Sequence, residues 1–347
     1  MIDTIGIQFP FAIKKTNLNG WEYFNGGKKN GFVIWHRLSI PTSNGAEVTY
    51  TYYPYVLHGL PLLKIEFSLP HLLYGNNISL VVDLKAGLDK ANKILPHVPG
   101  IPAFDIWEGE LYRIDFCYNH HVGEQVPWYI PPLQHLEISR RKTGPYTSEG
   151  VEYFNKQVSS KFYNKEKESK NLLAHGILRQ ETTHRKAAVK RLTGQKHPTL
   201  KDIATEMPFD KLEGDLKVLG LDNRSIGSYD STLKLLCAIY GSAAGLYYFG
   251  LLTARVEFPS REIVSSECRI HPRSLDRRLK KILEAGSPLT LTNAIHPLPP
   301  LVIDRKMVIS HSENRLDSCY CHEVIGDTRL VGNRLIGKRN RGHLCQL

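Results

Sequence analysis

The sequence contains six cysteines but no C-x-x-C pair, and their spacing indicates no disulfide framework. It also contains no phosphate-binding loop, because "GGKKNG" lacks the spacing and the strand–loop–helix setting of such a loop. No internal repeat is present, and the N-terminal "MIDTIGIQFPF" lacks a charged-then-apolar signal pattern. The sequence therefore predicts neither export nor an ATP site.

One group of cysteines leaves a zinc site open. Cys319 and Cys321 in "CYCHE" lie upstream of His343 and Cys345, and all four side chains are candidate zinc ligands. Their spacing matches no common zinc site, so free thiols in a reducing cytoplasm are the simpler interpretation.

The charge of the chain is strongly basic. Lys and Arg number 45 against 34 Asp and Glu, which gives a formal net charge of +11 and a pI near 9.2. Such an excess favours a polyanionic partner, either nucleic acid or an acidic membrane surface. With 347 residues, 41% of them apolar, the chain is long enough for two domains with packed cores.

An uncharged stretch at residues 235–254, "LLCAIYGSAAGLYYFGLLTA", has about the length of a membrane span. Gly, Ser, Cys and Tyr dilute its hydrophobicity, and Gly241 and Gly245 predict a break. We therefore expect two buried core helices here and no stable membrane association.

The first half of the chain has the pattern of strands and helices in alternation. Strands are predicted at "GFVIWHRLSI", "EVTYTYYPYV", "LLKIEFSLP", "ELYRIDFCYN" and "GILRQETTHR", the last leading into a basic helix. Further helices are predicted at "DLKAGLDKANKILPHV" and "PPLQHLEISRR", and "EGVEYFN" with "SSKFYNKEKES" predicts a hairpin. Residues 1–192 are therefore predicted to form an α+β domain with one antiparallel sheet and helices on one face.

From about residue 195 the pattern is helical, in "HPTLKDIATEM", "DSTLKLLCAIYG" and "HPRSLDRRLKKILEAG". In the last helix an apolar stripe is formed by Leu275, Leu279, Ile282 and Leu283, and the other side carries Arg277, Arg278, Lys280 and Lys281. These cations are expected to contact DNA phosphates, although a merely solvated basic face fits the pattern as well. We predict a helical DNA-binding domain at 193–300 and a basic tail at 301–347.

Three segments place charged or phenolic side chains two residues apart on predicted strands: Arg113 with Asp115, Tyr163 with Lys165, and Arg179 with Glu181. Side chains two apart on a strand point to the same face. If the strands are neighbours, the carboxylates of Asp115 and Glu181 suit Mg²⁺ or Mn²⁺. An exposed sheet face with cross-strand salt bridges would show the same alternation, so both interpretations stay open.

Tyr163 lies between two lysines on the predicted strand, since Lys161 and Lys165 share its face. A phenol ordinarily ionises near pH 10, and neighbouring cations favour the phenolate. The lysines would therefore ease ionisation of Tyr163 and hold a DNA phosphate.

In these segments the sequence resembles the gene II replication initiators of filamentous bacteriophages and related plasmids, which are rolling-circle nicking enzymes. "LYRIDFCYN", "FYNKEKE" and "GILRQETTHRKAAVKRL" are similar, in order, to that family's Arg-Ile-Asp strand, Tyr-x-Lys segment and Leu-Arg-x-Glu strand. "RSLDRRLKKILEAGSPL" is similar to its C-terminal helix, and the resemblance covers roughly residues 1–290.

The resemblance implies a relaxase-like nuclease domain related to the HUH endonucleases. In that chemistry a tyrosine attacks one phosphodiester, becomes linked to the 5′ phosphate and frees a 3′ hydroxyl that primes synthesis. The match implies Tyr163 as the nucleophile, with Lys165 as a second catalytic residue. Asp115 and Glu181 would bind the metal, and Arg113, Lys161 and Arg179 would contact DNA. It also implies a phage or plasmid origin, the host replication helicase and polymerase as partners, and the host bacterial cytoplasm as location.

One departure concerns the His-hydrophobic-His pair of the HUH enzymes, which this sequence lacks. His120 and His121 are adjacent, so they cannot share a strand face, and His135 with Glu137 falls in a predicted helix. Tyr153 is a second candidate nucleophile. Two alternatives stay open: a non-catalytic DNA-binding replication protein of the same family, and a metal-dependent nuclease that uses water.

Overall fold

A computed structural model describes residues 1–14, 18–28, 31–55, 60–258 and 261–306. In these residues ten strands form one antiparallel sheet in the order β2-β3-β4-β5-β1-β6-β10-β9-β8-β7. The strands are β1 (Ile2–Pro10), β2 (Glu22–Lys28), β3 (Gly31–Pro41), β4 (Glu47–Tyr53), β5 (Leu62–Ser68), β6 (Glu110–His121), β7 (Lys142–Pro145), β8 (Gly150–Phe154), β9 (Val158–Asn164) and β10 (Ile177–Arg185).

The two faces of this sheet differ in character because the strands alternate in sequence. In β4, Val48, Tyr50 and Tyr52 are buried, while Thr49 and Thr51 between them are half-buried. The same alternation runs through β5 and β6, so one face is apolar. The other, which we call the polar face, carries Lys64, Glu66 and Asp115.

The helices supply the second layer of the fold. They are α1 (Leu69–Tyr74), α2 (Leu84–Ile94), α3 (Val126–Gln134), α4 (Lys165–Ser169), α5 (Lys186–Thr193), α6 (Met207–Leu219), α7 (Tyr229–Tyr240), α8 (Ser242–Glu257), α9 (Arg261–Glu267) and α10 (Pro272–Glu284). Buried side chains of α1, α2, α3, α5 and α6 belong to the same hydrophobic core as the inward residues of the sheet. The mixed α+β class and the large antiparallel sheet are as the sequence predicted.

A buried polar network attaches α6 to the apolar face. Asp215 of α6 accepts hydrogen bonds from Ser160, from Thr182 at 2.8 Å and from Arg141 at 3.2 Å. Since buried polar groups are costly unless they are paired, these bonds fix the position of α6 on β9 and β10.

A second, smaller apolar cluster lies among α8, α9 and α10. It consists of Leu251, Leu252, Val264, Leu275, Leu279, Ile282 and Leu291. Leu212 and Leu216 of α6, in contrast, belong to the core of the sheet. The predicted boundary at residue 192 thus precedes a helix that packs on the sheet.

Two helix predictions need correction. The helix predicted over 131–141 ends at Gln134, and β7 follows at Lys142. In "HPTLKDIATEM" only a 3-10 turn at Leu200–Asp202 forms, and the α-helix starts at Met207. Pro131 and Pro132 lie in the second half of α3, so the predicted helix started too late.

The uncharged stretch at 235–254 divides as predicted. Gly241, at φ 78°, separates α7 from α8, and a left-handed φ of this kind favours glycine. The prediction that both helices are buried was wrong, since Ile239, Leu246 and Tyr247 are exposed by 49%, 56% and 42%. Within the described residues no helix is long and apolar enough to cross a membrane.

The candidate zinc ligands Cys319, Cys321, His343 and Cys345, and nearly all of the predicted tail, lie outside the described residues.

Candidate active site on the polar sheet face

The three segments singled out in the sequence are neighbours in the sheet. β10 pairs with β6 on one side and with β9 on the other. Thr183 lies opposite Asp115, and Arg179 lies opposite Tyr163. Because residues opposite each other in an antiparallel pair point to the same face, the predicted site residues of these strands share the polar face.

Tyr163 forms the centre of this group. Its hydroxyl donates a hydrogen bond to Glu181 Oε2 at 3.1 Å, and its ring centroid lies 5.0 Å from that of Tyr146 in the turn between β7 and β8. The side chain is only 2% exposed. Burial, followed by the negative charge of Glu181, raises the pKa of the Tyr163 phenol well above its ordinary value. The phenol is therefore protonated at neutral pH.

Glu181 is held by a cation on each side. Lys161 Nζ lies 3.1 Å from Glu181 Oε1, and Arg179 is two residues away on the same strand. Burial opposes ionisation of Glu181, but the charges of Lys161 and Arg179 outweigh it and lower the pKa of the carboxyl. Glu181 is therefore an ionised acceptor in hydrogen-bond reach of the Tyr163 hydroxyl.

Asp115 forms a bidentate pair with Arg113. Arg113 Nη2 lies 2.6 Å from Asp115 Oδ2, and Nε lies 3.2 Å from Oδ1. Arg113 also reaches Glu66 at 3.5 Å. Burial raises the pKa of Asp115 to about 6, against the opposing effect of Arg113.

Arg179 is fully buried and anchors the floor of the site. Its Nη1 donates to the Asn77 carbonyl at 2.8 Å and to Asn119 Oδ1 at 3.2 Å, and its Nη2 lies 3.0 Å from Asp3 Oδ1. Among the described residues, Nε and Nη2 have no well-aligned hydrogen-bond acceptor, so the contact with Asp3 is ionic. In this placement the Arg179 guanidinium is buried and paired with protein groups, and its predicted contact with DNA stays a prediction.

Lys165 differs most from its prediction. β9 ends at Asn164, whose side chain accepts from the Lys167 backbone N–H and so caps α4. Lys165 is the first residue of that helix and pairs with Glu168 at 2.6 Å, while its Nζ lies 5.6 Å from the Tyr163 ring centroid. Burial and Arg179 lower the pKa of Lys165. The Lys165 ammonium thus lies over the Tyr163 ring, and Arg179 is the cation that opposes the rise in the phenol pKa.

The remaining candidates lie away from this centre. Tyr153 is fully buried on the apolar face, where its hydroxyl donates to the Leu133 carbonyl. His120 is buried beside Gln180 on the same face, and His121 is exposed at the end of β6. Glu137 pairs with Arg255 of α8 at 2.7 Å and is not helical, which corrects its predicted position.

The acids of the polar face are each paired with a cation in this arrangement. Asp115 is neutralised by Arg113, and Glu181 by Lys161. Across the described ranges, no group of three or more His, Cys, Asp or Glu side chains lies close enough together to hold a metal ion. The requirement for Mg²⁺ or Mn²⁺ stays a prediction.

The basic side of α10 is only partly available. Arg278 stacks on the Tyr247 ring at 4.9 Å, and Lys280 lies 3.8 Å from Glu284. Arg277 and Lys281 are exposed, and Arg277 donates to Ser274. The apolar stripe is confirmed, because Leu275, Leu279 and Ile282 are buried, with Leu283 at its half-buried edge.

Sequence reasoning missed two residues of the site. Asp3 comes from the central strand β1, and Tyr146 from a turn, so only the fold brings them to Arg179 and Tyr163. The signal for Asp3 was an acid inside the apolar run "MIDTIGI", where a buried charge needs a partner.

Comparisons of the chain with protein-family models, with curated proteins and with solved structures gave no match. The family resemblance rests on the motifs of the sequence alone.

Proposed function

We propose that this protein nicks and rejoins single DNA strands through a covalent link to Tyr163, and so starts rolling-circle replication at a phage or plasmid origin. The observation that carries the proposal is the hydrogen bond from Tyr163 to Glu181 on a cation-rich sheet face. A nucleophile within reach of an ionised acceptor, itself oriented by a third group, is the usual arrangement of covalent catalysis.

The proposed step follows from these contacts. Glu181 Oε2 takes the phenol proton, and the Tyr163 oxygen attacks the phosphorus. The bond from phosphorus to the 3′ oxygen breaks, solvent protonates the leaving oxygen, and the 5′ phosphate stays on Tyr163. The reverse attack by a 3′ hydroxyl rejoins the strand, and since bond energy is conserved no nucleotide hydrolysis is needed.

The cations have separate roles in this proposal. Lys161 is 14% exposed in its side chain and Arg113 is 28% exposed, so both can approach a phosphate at the edge of the site. Arg179 and Lys165 are instead buried and paired with acids, and in this proposal they stabilise the site. A sheet with helices on one face and a charged opposite face also fits the relaxase-like fold that the resemblance implies.

Access to Tyr163 requires movement of the covering turn. Tyr146 packs on the Tyr163 ring, and Lys161 lies 4.6 Å from the Tyr146 ring centroid. We infer that bound DNA draws Lys161 to a phosphate and displaces Tyr146. The turn at 146–149 would then expose the phenol.

The burial of Tyr163 also favours a second function. A protein whose polar face only binds DNA needs no reachable hydroxyl, and here the central acids are paired with cations. In that case Tyr163 holds Glu181 in place and no bond is broken.

One assay separates these functions. The protein is incubated with supercoiled filamentous-phage DNA and with a randomised single-stranded oligonucleotide pool, with and without Mg²⁺. A protein–DNA adduct that survives denaturation supports transesterification by tyrosine. Binding without cleavage supports the second function, and cleavage without an adduct supports hydrolysis by water.

A further inference from the structure

The polar face continues past the candidate active site onto strands β1 to β5. In register, Arg37 of β3 lies opposite Thr51, Thr51 opposite Lys64, and Lys64 opposite Gln8. Gly6 lies two residues from Gln8 on the same face of β1 and opposite Arg113 of β6, so the row continues onto β6. Strands β1 to β5 therefore share one continuous surface with Asp115 and Tyr163.

Four aromatic rings lie on this outer surface, and we call them the aromatic wing: Phe24, Trp35, Tyr53 and Tyr112. Phe24 and Trp35 stack with centroids 5.4 Å apart and planes at 6°. Trp35 is two residues from Arg37, and Tyr53 two from Thr51, so both rings lie on the polar face. All four rings are half-buried and so retain accessible surface.

Cations lie between the rings of the wing. Lys64 Nζ is 5.2 Å from the Tyr53 ring centroid and 4.6 Å from that of Tyr112. Arg37 is exposed beside Trp35. The acids nearby are Glu22, which lies opposite Arg37, and Glu66, which accepts from Tyr112 and Arg113.

Gly6 makes room for the inner ring of the wing. A Cβ at this position would lie 2.9 Å from Tyr112 Cζ and 2.9 Å from Arg113 Cβ. The sequence therefore keeps the Tyr112 ring flat over β1, between Lys64 and the Arg113–Asp115 pair. The wing reaches the candidate active site without a break.

We propose that the aromatic wing binds single-stranded DNA by stacking its bases, and that the strand runs from Trp35 across the sheet toward Tyr163. Rings interleaved with cations are the arrangement that single-stranded nucleic acid needs, since bases stack on rings and phosphates meet the cations. Six strand spacings separate β3 from β9, which is about 29 Å across the sheet. The direction toward Tyr163 rests on the proposed function, whereas base stacking on the wing does not.

The test measures binding of labelled oligo(dT) by fluorescence anisotropy, in a Tyr163→Phe background that cannot form the adduct. Trp35→Ala and Tyr53→Ala should each weaken binding by about 5- to 150-fold, the range expected for loss of one base stack. Trp35→Phe keeps an aromatic ring at this position and should retain most of the parent's affinity. Trp128→Ala removes an exposed ring from α3, behind the apolar face, and should leave the affinity unchanged.

Salt dependence separates stacking from charge. Trp35→Ala should lower affinity at every salt concentration without changing the slope of log K against log salt. Arg37→Ala should reduce that slope by about 0.7, the value for one phosphate contact on a single strand.

Each outcome decides a separate claim. If Trp35→Ala and Tyr53→Ala bind oligo(dT) as tightly as the parent and unfold at the same temperature, the wing does not bind single-stranded DNA. This conclusion holds even if the Tyr163 adduct forms. If these variants lose affinity and the protein that retains Tyr163 forms no adduct, DNA binding by the wing is supported and nicking is contradicted. Equal loss on duplex DNA, or selective loss on oligo(rU) alone, would also contradict a single-stranded DNA site.

Discussion

At the scale of single residues, the candidate site is a set of buried charges that satisfy one another. Tyr163, Glu181 and Lys161 form one chain of contacts, and Arg113 with Asp115 forms a second. Breaking a buried pair leaves an unpaired charge that costs roughly 3–5 kcal/mol. Substitutions here therefore change stability as well as chemistry, and their effects must be measured together.

The two carboxyls should respond to pH in opposite directions. Burial raises the pKa of Asp115 from 3.8 to about 6, so its stabilising contribution is full below pH 3.8 and is lost as the pH rises through about 6. The pKa of Glu181 is lowered from 4.5, so its contribution is present above pH 4.5 and is lost as the pH falls through the lower folded value.

Urea unfolding of Asp115→Asn and Glu181→Gln across pH 3 to 8 checks these signs. Relative to the parent, Asp115→Asn should gain stability as the pH rises from about 4 to about 6. Glu181→Gln should lose stability relative to the parent as the pH rises toward 4.5. The same trend in both variants would contradict the assignment of opposite shifts.

Tyr146→Ala should expose the phenol of Tyr163, because the Tyr146 ring covers it. We expect nitration of Tyr163 by tetranitromethane to accelerate severalfold, as measured by peptide mass spectrometry. Tyr153 is the internal control, since it is buried on the other face and should stay unmodified in both proteins. Equal nitration of Tyr163 with and without the Tyr146 ring would show that another element controls access.

At the scale of elements, strands were easier to predict from sequence than helices. The alternation in "EVTYTYYPYV" and "ELYRIDFCYN" predicted both the strands and the face of each side chain, because apolar residues at every second position are typical of a strand with one buried face. The prediction of a helix at 131–141 was wrong because the helix begins in "VPWYI", upstream of Pro131 and Pro132. Lys165 was misplaced because Asn164 ends the strand with a helix cap, which a strand pattern does not show.

The helix α10 supports a prediction at this scale. Arg277 and Lys281 are exposed, whereas Arg278 is stacked on Tyr247, so the first pair should carry the phosphate contacts. The double variant Arg277→Ala/Lys281→Ala should weaken binding to any duplex and reduce the salt slope by about two. Lys85→Ala on α2, an exposed lysine paired with Asp89, is the matched control. An unchanged slope in the double variant would assign α10 a purely structural role.

At the scale of the whole molecule, the sequence patterns predicted seven of the ten described strands and the shared face, but not β1, β2 and β7 or the residues that cover the site. The pairs two residues apart place Asp115, Glu181 and Tyr163 together only because β6, β10 and β9 are neighbours, which the sequence left as a condition. The partners Asp3 and Tyr146 were missed, because each comes from a separate segment that only the tertiary fold brings near.

The arrangement of the molecule gives each layer a separate task. Helices cover the apolar face, and the polar face combines the aromatic wing with the Tyr163 centre. The smaller helical cluster is linked to the sheet through the Glu137–Arg255 pair. A DNA strand bound across the polar face would lie against Lys64, Arg113 and Lys161 in turn.

The most direct test of the account is to map where DNA becomes covalently attached. After incubation with the randomised oligonucleotide pool, nuclease trimming and proteolysis, mass spectrometry should find a nucleotide 5′ phosphate on the peptide that contains Tyr163. Tyr163→Phe should give no adduct while oligo(dT) affinity stays within about threefold. Tyr153→Phe should retain the adduct and lose only about 1 kcal/mol of stability from one hydrogen bond. An adduct that persists in Tyr163→Phe, or none in the parent protein, would contradict Tyr163 as the nucleophile.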